Sequence, residues 1–113
     1  MTDHMQELQR LVRKQANTAQ RFNALVDEME SADRTGGLGR HALLDIYDKA
    51  VDLAIEAARL TSQKVGLIEA MGSLIDDATR KRFEDEAEAA DLNVMKMEAA
   101  RDRVYDARRS DEY

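Results

Sequence analysis

The chain has 113 residues, enough for one domain of ordinary size, and its formal net charge is -6. It contains no cysteine, which excludes disulfides, thiol catalysis and thiolate metal sites, and its acidic balance disfavours binding of nucleic acid or anionic lipid by the surface as a whole. Helix-forming residues dominate, and proline, which would break a helix, is missing. We therefore expect an all-α protein with a single domain over residues 1–113.

Two features of the sequence bear on its location. No apolar run approaches the ~20 residues that a membrane-spanning helix needs. Residues 1–14 lack the continuous apolar core of a secretory signal. We expect a cytoplasmic protein with no membrane partner.

The first predicted helix covers residues 3–34. Its apolar residues recur every seven positions in two rows offset by three, which is typical of a helix that packs along its length against another. The rows are Met5, Val12, Ala19 and Val26, and Leu8, Gln15, Phe22 and Met29. Leu11 and Leu25 flank these rows and widen the apolar stripe.

The second predicted helix covers residues 40–71 and is apolar over much of its circumference. One row has a leucine-zipper spacing and another runs beside it: Ile46, Leu53, Leu60, Leu67 and Leu74, and Leu43, Ala50, Ala57, Lys64 and Met71. A helix that is apolar on most sides is usually buried between others. We expect this helix to be the central one.

A break at residues 72–73 separates the second helix from the third, predicted at 73–109. Gly72 would terminate one helix and Ser73 would cap the next. With a turn at 35–39, this gives an antiparallel three-helix bundle of long helices. The alternative is a helical hairpin in which helices 2 and 3 form one coiled-coil rod, because a glycine inside a helix costs only about 1 kcal/mol relative to alanine.

Charges on the outer helices predict their register. Helices 1 and 3 run parallel in an up-down-up bundle, so a basic first half of helix 1 would face an acidic first half of helix 3. The residues concerned are Arg10, Arg13, Lys14 and Arg21, and Glu84, Glu88 and Asp91. Exposed ion pairs contribute only ~0.2–1 kcal/mol each, so we expect them to select the register more than to stabilise the fold.

The glycine-rich segment before helix 2 partly matches the fingerprint of a dinucleotide-binding turn. Such a turn needs a preceding strand and a βαβ unit, and the sequence has no strand-like segment. We interpret the segment as a reversal between helices. The weaker alternative is an anion site at the N-terminus of helix 2, formed by Gly37, Gly39, Arg40 and His41.

The sequence offers little for catalysis or metal binding. Neither His4 nor His41 has a glutamate three residues earlier, as a di-iron bundle would require. The serines lack a recognisable neighbouring base. We expect no enzyme activity, no cofactor and no metal.

Two alternative interpretations link the protein to nucleic acid. The clusters 80–82 and 108–109 are basic and could contact phosphates, although they lack aromatic residues for base stacking. The acidic stretch 84–91 could instead mimic nucleic acid and inhibit a protein that binds it. Either alternative would make this a nucleic-acid-linked protein.

Surplus hydrophobic residues lead to the principal functional expectation. On helix 3, Leu92, Met95 and Ala99 form a second stripe, while Leu11 and Leu25 flank the seam of helix 1. An outer helix of a bundle buries one stripe, so a second stripe indicates a surface for a protein partner or for self-association, most simply as a homodimer. The alternative is that the packed stripe of each helix is simply broad. We expect a non-enzymatic adaptor, chaperone, regulator or inhibitor.

Overall fold

A computed structural model describes the backbone of residues 3–35 and 40–112, and the side chains of residues 3–31 and 42–106. Its elements are α1 (His4–Thr35), α2 (Arg40–Met71), a short 3-10 turn (Gly72–Leu74) and α3 (Asp77–Glu112). The described residues contain no strand. The predicted all-α three-helix bundle is confirmed.

The central position of α2 organises the bundle. Both α1 and α3 pack along it, whereas no described Cα atom of α1 lies within 8 Å of one in α3. Among the described residues, the buried apolar side chains other than Leu11 all belong to α2: Leu44, Ala50, Val51, Ala54, Leu60 and Ile68. The outer helices thus use α2 as a common core, as its all-round apolar pattern predicts.

The seam of α1 lies one row away from its predicted position. Leu11 is only 2% exposed and Thr18 is also buried, whereas Met5 and Val12 are exposed. Leu11 therefore lies in the seam instead of flanking it, a correction to the sequence prediction. Thr18 can occupy a core position because its hydroxyl donates a hydrogen bond to the Lys14 carbonyl, 3.0 Å away in the same helix.

Gly72 ends α2. Its φ of +59° is a left-handed conformation that glycine adopts without steric cost. The amide of Ile75 donates to the Gly72 carbonyl at 3.2 Å and closes the 3-10 turn. Helices α2 and α3 are therefore separate, as the break predicts.

The N-cap of α3 differs from the prediction. Asp76, not Ser73, caps the helix, because its Oδ1 accepts a hydrogen bond from the Thr79 amide at 2.7 Å. Aspartate and serine are comparable capping residues, and residues 72–74 are already used in the 3-10 turn. As a result α3 begins at Asp77, four residues later than predicted.

Candidate functional site

A polar cluster in the bundle interior takes one side chain from each helix: Gln15 from α1, Lys64 from α2 and Glu86 from α3. Lys64 is only 4% exposed. Its Nζ lies 2.8 Å from Oε1 of Glu86 and also donates to Oε1 of Gln15. The Gln15 amide nitrogen donates to the same Glu86 oxygen. The three side chains thus form a closed ring of contacts.

The electrostatics of this cluster favour both charges. The Lys64 ammonium lies 5.0 Å from the centroid of the Phe83 ring, within range of a cation–π interaction. Burial alone would raise the pKa of Glu86, but hydrogen bonds from Lys64 and Gln15, with the charges of Lys64 and Arg82, lower this pKa below its ordinary value of 4.5. An alignment that moved Glu86 away from Lys64 without supplying another acceptor would leave the Lys64 charge buried without a partner, which is costly. The cluster therefore restricts the register of the three helices.

The sequence marks only two of the three residues of this cluster. Gln15 and Lys64 are the polar members of otherwise apolar rows, and a polar residue at a core position is a sign of a specific buried partner. Glu86 has no such signal, since it lies in a stretch where acidic residues occur at most positions. Only the tertiary packing distinguishes it.

The predicted contact surface divides into two groups. Leu92 is 51% exposed, Met95 is 68% exposed, and Ala99 is exposed as well. At 3.6 residues per turn, these three residues lie about half a turn from Ala90, which faces the bundle. We call Leu92, Met95 and Ala99 the outer stripe of α3.

The α1 members of the predicted surface are less exposed than those of α3. Leu11 is buried, and Leu25 is half-buried in a groove that it shares with Leu53 of α2. The large apolar residues of α1 that are exposed, among those described, are instead Met5 and Val12, from the row that was expected to pack. Exposure of Met5 and Val12 follows from the displaced seam.

The predicted charge register between α1 and α3 is not formed by contacts within 4.0 Å among residues 3–31 and 42–106. Arg10 pairs with Glu7 in its own helix, and Arg21 lines a groove with Lys49 and Asp52 of α2. The remaining residues of the prediction are exposed: Arg13, Lys14, Glu84, Glu88 and Asp91. The displaced seam explains this, because it turns Arg10 and Arg21 toward the α2 side of α1.

The two outer helices nevertheless run parallel, as expected. Gln15 of α1 contacts Glu86 of α3, and farther along the same two helices Val26 and Met97 line one cleft. This cleft has a volume of about 340 Å³, and its remaining lining residues are Met29, Glu30, Leu43, Tyr47 and Ala100. Its lining is mainly apolar, and none of the residues that line it is a histidine, lysine or serine.

The candidate anion site cannot be assembled from the described atoms. Gly37 and Gly39 lie outside the described residues, and Arg40 and His41 begin α2 with side chains outside the described set. The segment does join two antiparallel helices, which agrees with its interpretation as a reversal. Anion binding there stays a prediction.

Of the basic cluster 80–82, one member is engaged within the fold. The Arg80 guanidinium donates to the Gly72 carbonyl at 3.0 Å and lies 3.6 Å from Asp77. Lys81 and Arg82 are exposed. Arg80 therefore supports the linker between α2 and α3 and is less available to a phosphate.

Among the described residues, no group of three or more His, Cys, Asp or Glu side chains could hold a metal ion. None of the helices, over the part described, is both long and apolar enough to cross a membrane. Comparisons of the chain with protein-family models, curated proteins and solved structures gave no match.

Proposed function

We propose that the protein is non-enzymatic and acts through protein–protein contacts, as an adaptor, chaperone, regulator or inhibitor. The outer stripe of α3 is the proposed contact surface. The observation that supports this is the exposure of Leu92 and Met95 on a face of α3 that points away from the core. Covering apolar surface gains about 25 cal/mol per Å², so a partner that buried these side chains would be favoured.

The chemistry of the outer stripe suits a protein partner. Methionine is flexible and polarisable, and it adapts to irregular apolar surfaces. The stripe follows the spacing i, i+3, i+7, which is the pattern that a helix presents to a groove or to another helix. Because α3 packs along α2, the stripe is presented on an already formed helix.

The alternative of a nucleic-acid-linked protein has less support. Arg80 is engaged with the Gly72 carbonyl, which leaves two residues of its cluster exposed. Direct phosphate contact would give an affinity for DNA or RNA that falls steeply with salt.

A cytoplasmic location is part of the proposal, and the cysteine-free composition supports it.

The test is affinity capture from the native host with the tagged wild type, Leu92→Asp and Val12→Asp. Val12 is the matched control, because it is an exposed apolar residue on α1. We expect one protein, foreign or self, to co-elute with the wild type and with Val12→Asp, and to be lost with Leu92→Asp. Circular dichroism checks that each variant is folded. Equal capture by Leu92→Asp would contradict the proposed surface.

A further inference from the structure

We infer that the partner of the outer stripe is a second copy of this chain, with α3 packed parallel to α3 of the partner subunit. This inference rests on the proposed function and adds the occupant and its orientation. In the heptad frame of the exposed face, Leu92 and Ala99 occupy a positions and Met95 occupies the d position between them. These are the positions that meet across a two-stranded coil.

The flanking charges determine the orientation. In the same frame Asp91 and Glu98 occupy g positions, and Lys96 and Arg103 occupy e positions. In a parallel pair, a g residue faces the e residue five positions later in the other chain. Asp91 then faces Lys96 of the partner subunit, and Glu98 faces Arg103 of the partner subunit. Two-fold symmetry repeats both pairs.

These four charged side chains are not used within the described part of the chain. None of them forms an ion pair within 4.0 Å there. The Arg103 side chain makes only a long hydrogen bond, 3.4 Å, to the Ala99 carbonyl of its own helix. All four are therefore free to pair across an interface.

The opposite orientation is disfavoured by the same charges. In an antiparallel pair, g positions face g positions. Asp91 and Glu98 would then lie against the same acidic residues of the other chain, and like charges at an interface act against association. The charges at the e and g positions thus favour the parallel pair, while the like-charged d residues Glu88 and Asp102 limit its length.

The predicted contact is short. Beyond the outer stripe, the next d positions are Glu88 and Asp102, so the apolar contact covers about one heptad. A patch of this size is of the order of a few hundred Å², whereas a stable interface takes about 800 Å² from each partner. We therefore expect a weak dimer whose population rises with concentration.

The first test is sedimentation equilibrium over a range of protein concentrations. Lys96→Glu breaks two symmetry-related ion pairs and is expected to raise the dimer Kd about fivefold. The exchange Asp91→Lys with Lys96→Asp restores opposite charges and is expected to restore the Kd. The matched control Lys14→Glu changes an exposed lysine on α1 and is expected to leave the Kd unchanged. Failure of the charge exchange to restore association would overturn the pairing.

The second test is disulfide trapping. Because the chain has no cysteine, any disulfide that forms must join the introduced cysteines. In the parallel pair, Ala99→Cys places two thiols at facing a positions, so we expect it to cross-link several-fold faster than Ala16→Cys, an exposed control on α1. Cross-linking no faster than the control in a chain that still dimerises would overturn the parallel orientation.

The outcomes separate this inference from the proposed function. If the wild type stays monomeric while Leu92→Asp abolishes capture of a foreign protein, the inference of self-association is overturned and the proposed contact surface stands. If Leu92→Asp affects neither self-association nor capture, both fail.

Discussion

Replacing Glu86 removes the partner of a buried cation, and its cost can be worked from the cluster geometry. Loss of one member of a fully buried pair costs about 3–5 kcal/mol, because the remaining charge has no partner. Here the Glu86 side chain is 40% exposed, and Gln15 and the Phe83 ring stay beside the Lys64 ammonium. Solvent screening reduces the cost, so we expect Glu86→Ala to lower the free energy of unfolding by about 2 kcal/mol.

Replacing Lys64 should cost less. Lys64→Met removes the charge and keeps an apolar side chain of similar length in the core, while Glu86 remains partly hydrated. Exchanging a buried charge for an apolar residue is often neutral or stabilising, so we expect a change within about 1 kcal/mol of the wild type. The order of the two effects is the prediction, with Glu86→Ala the more destabilising variant.

Urea unfolding followed by circular dichroism measures both variants, and Glu86→Gln is the control that keeps the side-chain shape and a hydrogen-bond acceptor. A larger loss for Lys64→Met than for Glu86→Ala would show that the ion pair stabilises the fold outright. A loss below about 0.5 kcal/mol for Glu86→Ala would show that water solvates the lysine, contrary to its burial.

Three further predictions can be measured by the same unfolding assay. The folded-state pKa of Glu86 is lowered, so its stabilisation is present above the ordinary value of 4.5 and is lost as the pH falls through the folded pKa. The advantage of the wild type over Glu86→Gln should therefore be constant above about pH 5 and shrink as the pH falls below it. An added Cβ would meet nothing within 4 Å at Gly72 or at Gly66, so the two substitutions differ only in backbone conformation. Gly72→Ala should cost about 1 kcal/mol because φ is positive there, whereas Gly66→Ala should stabilise α2 by up to about 1 kcal/mol because alanine favours a helix. Leu11→Ala should cost about 3 kcal/mol and Leu92→Ala less than about 0.5 kcal/mol, and the reverse order would contradict their placement.

The architecture could be predicted because its signals are local and repeated. Heptad spacing defined the helices, the all-round apolar character of α2 placed it in the centre, and Gly72 marked the end of that helix. The start of α3 was wrong because Ser73 and Asp76 are both good capping residues, and the sequence alone does not rank them.

The seam of α1 could not be located by counting apolar residues. Val12 is more apolar than Thr18, yet Thr18 is the buried residue, and a hydrogen bond from its hydroxyl within the helix lowers the cost of burying it. This shift of one row also turns Arg10 and Arg21 toward α2, so they form no ion pair with α3 within 4.0 Å among the described residues.

The two candidate sites differ in how far the sequence could predict them. The outer stripe was recognisable because Leu92, Met95 and Ala99 share a face distinct from the core row of the same helix. The polar cluster was not, because it joins residues that are 49 and 22 positions apart and depends on how the three helices align.

The most direct test of the outer stripe is sedimentation equilibrium of the wild type, Leu92→Asp and Val12→Asp up to high protein concentration. We expect the apparent mass of the wild type and of Val12→Asp to rise from the 12.8 kDa of one chain toward twice that value. Leu92→Asp should stay at the mass of one chain. A wild type that remains monomeric throughout, or a Leu92→Asp variant that associates as the wild type does, would contradict self-association through α3.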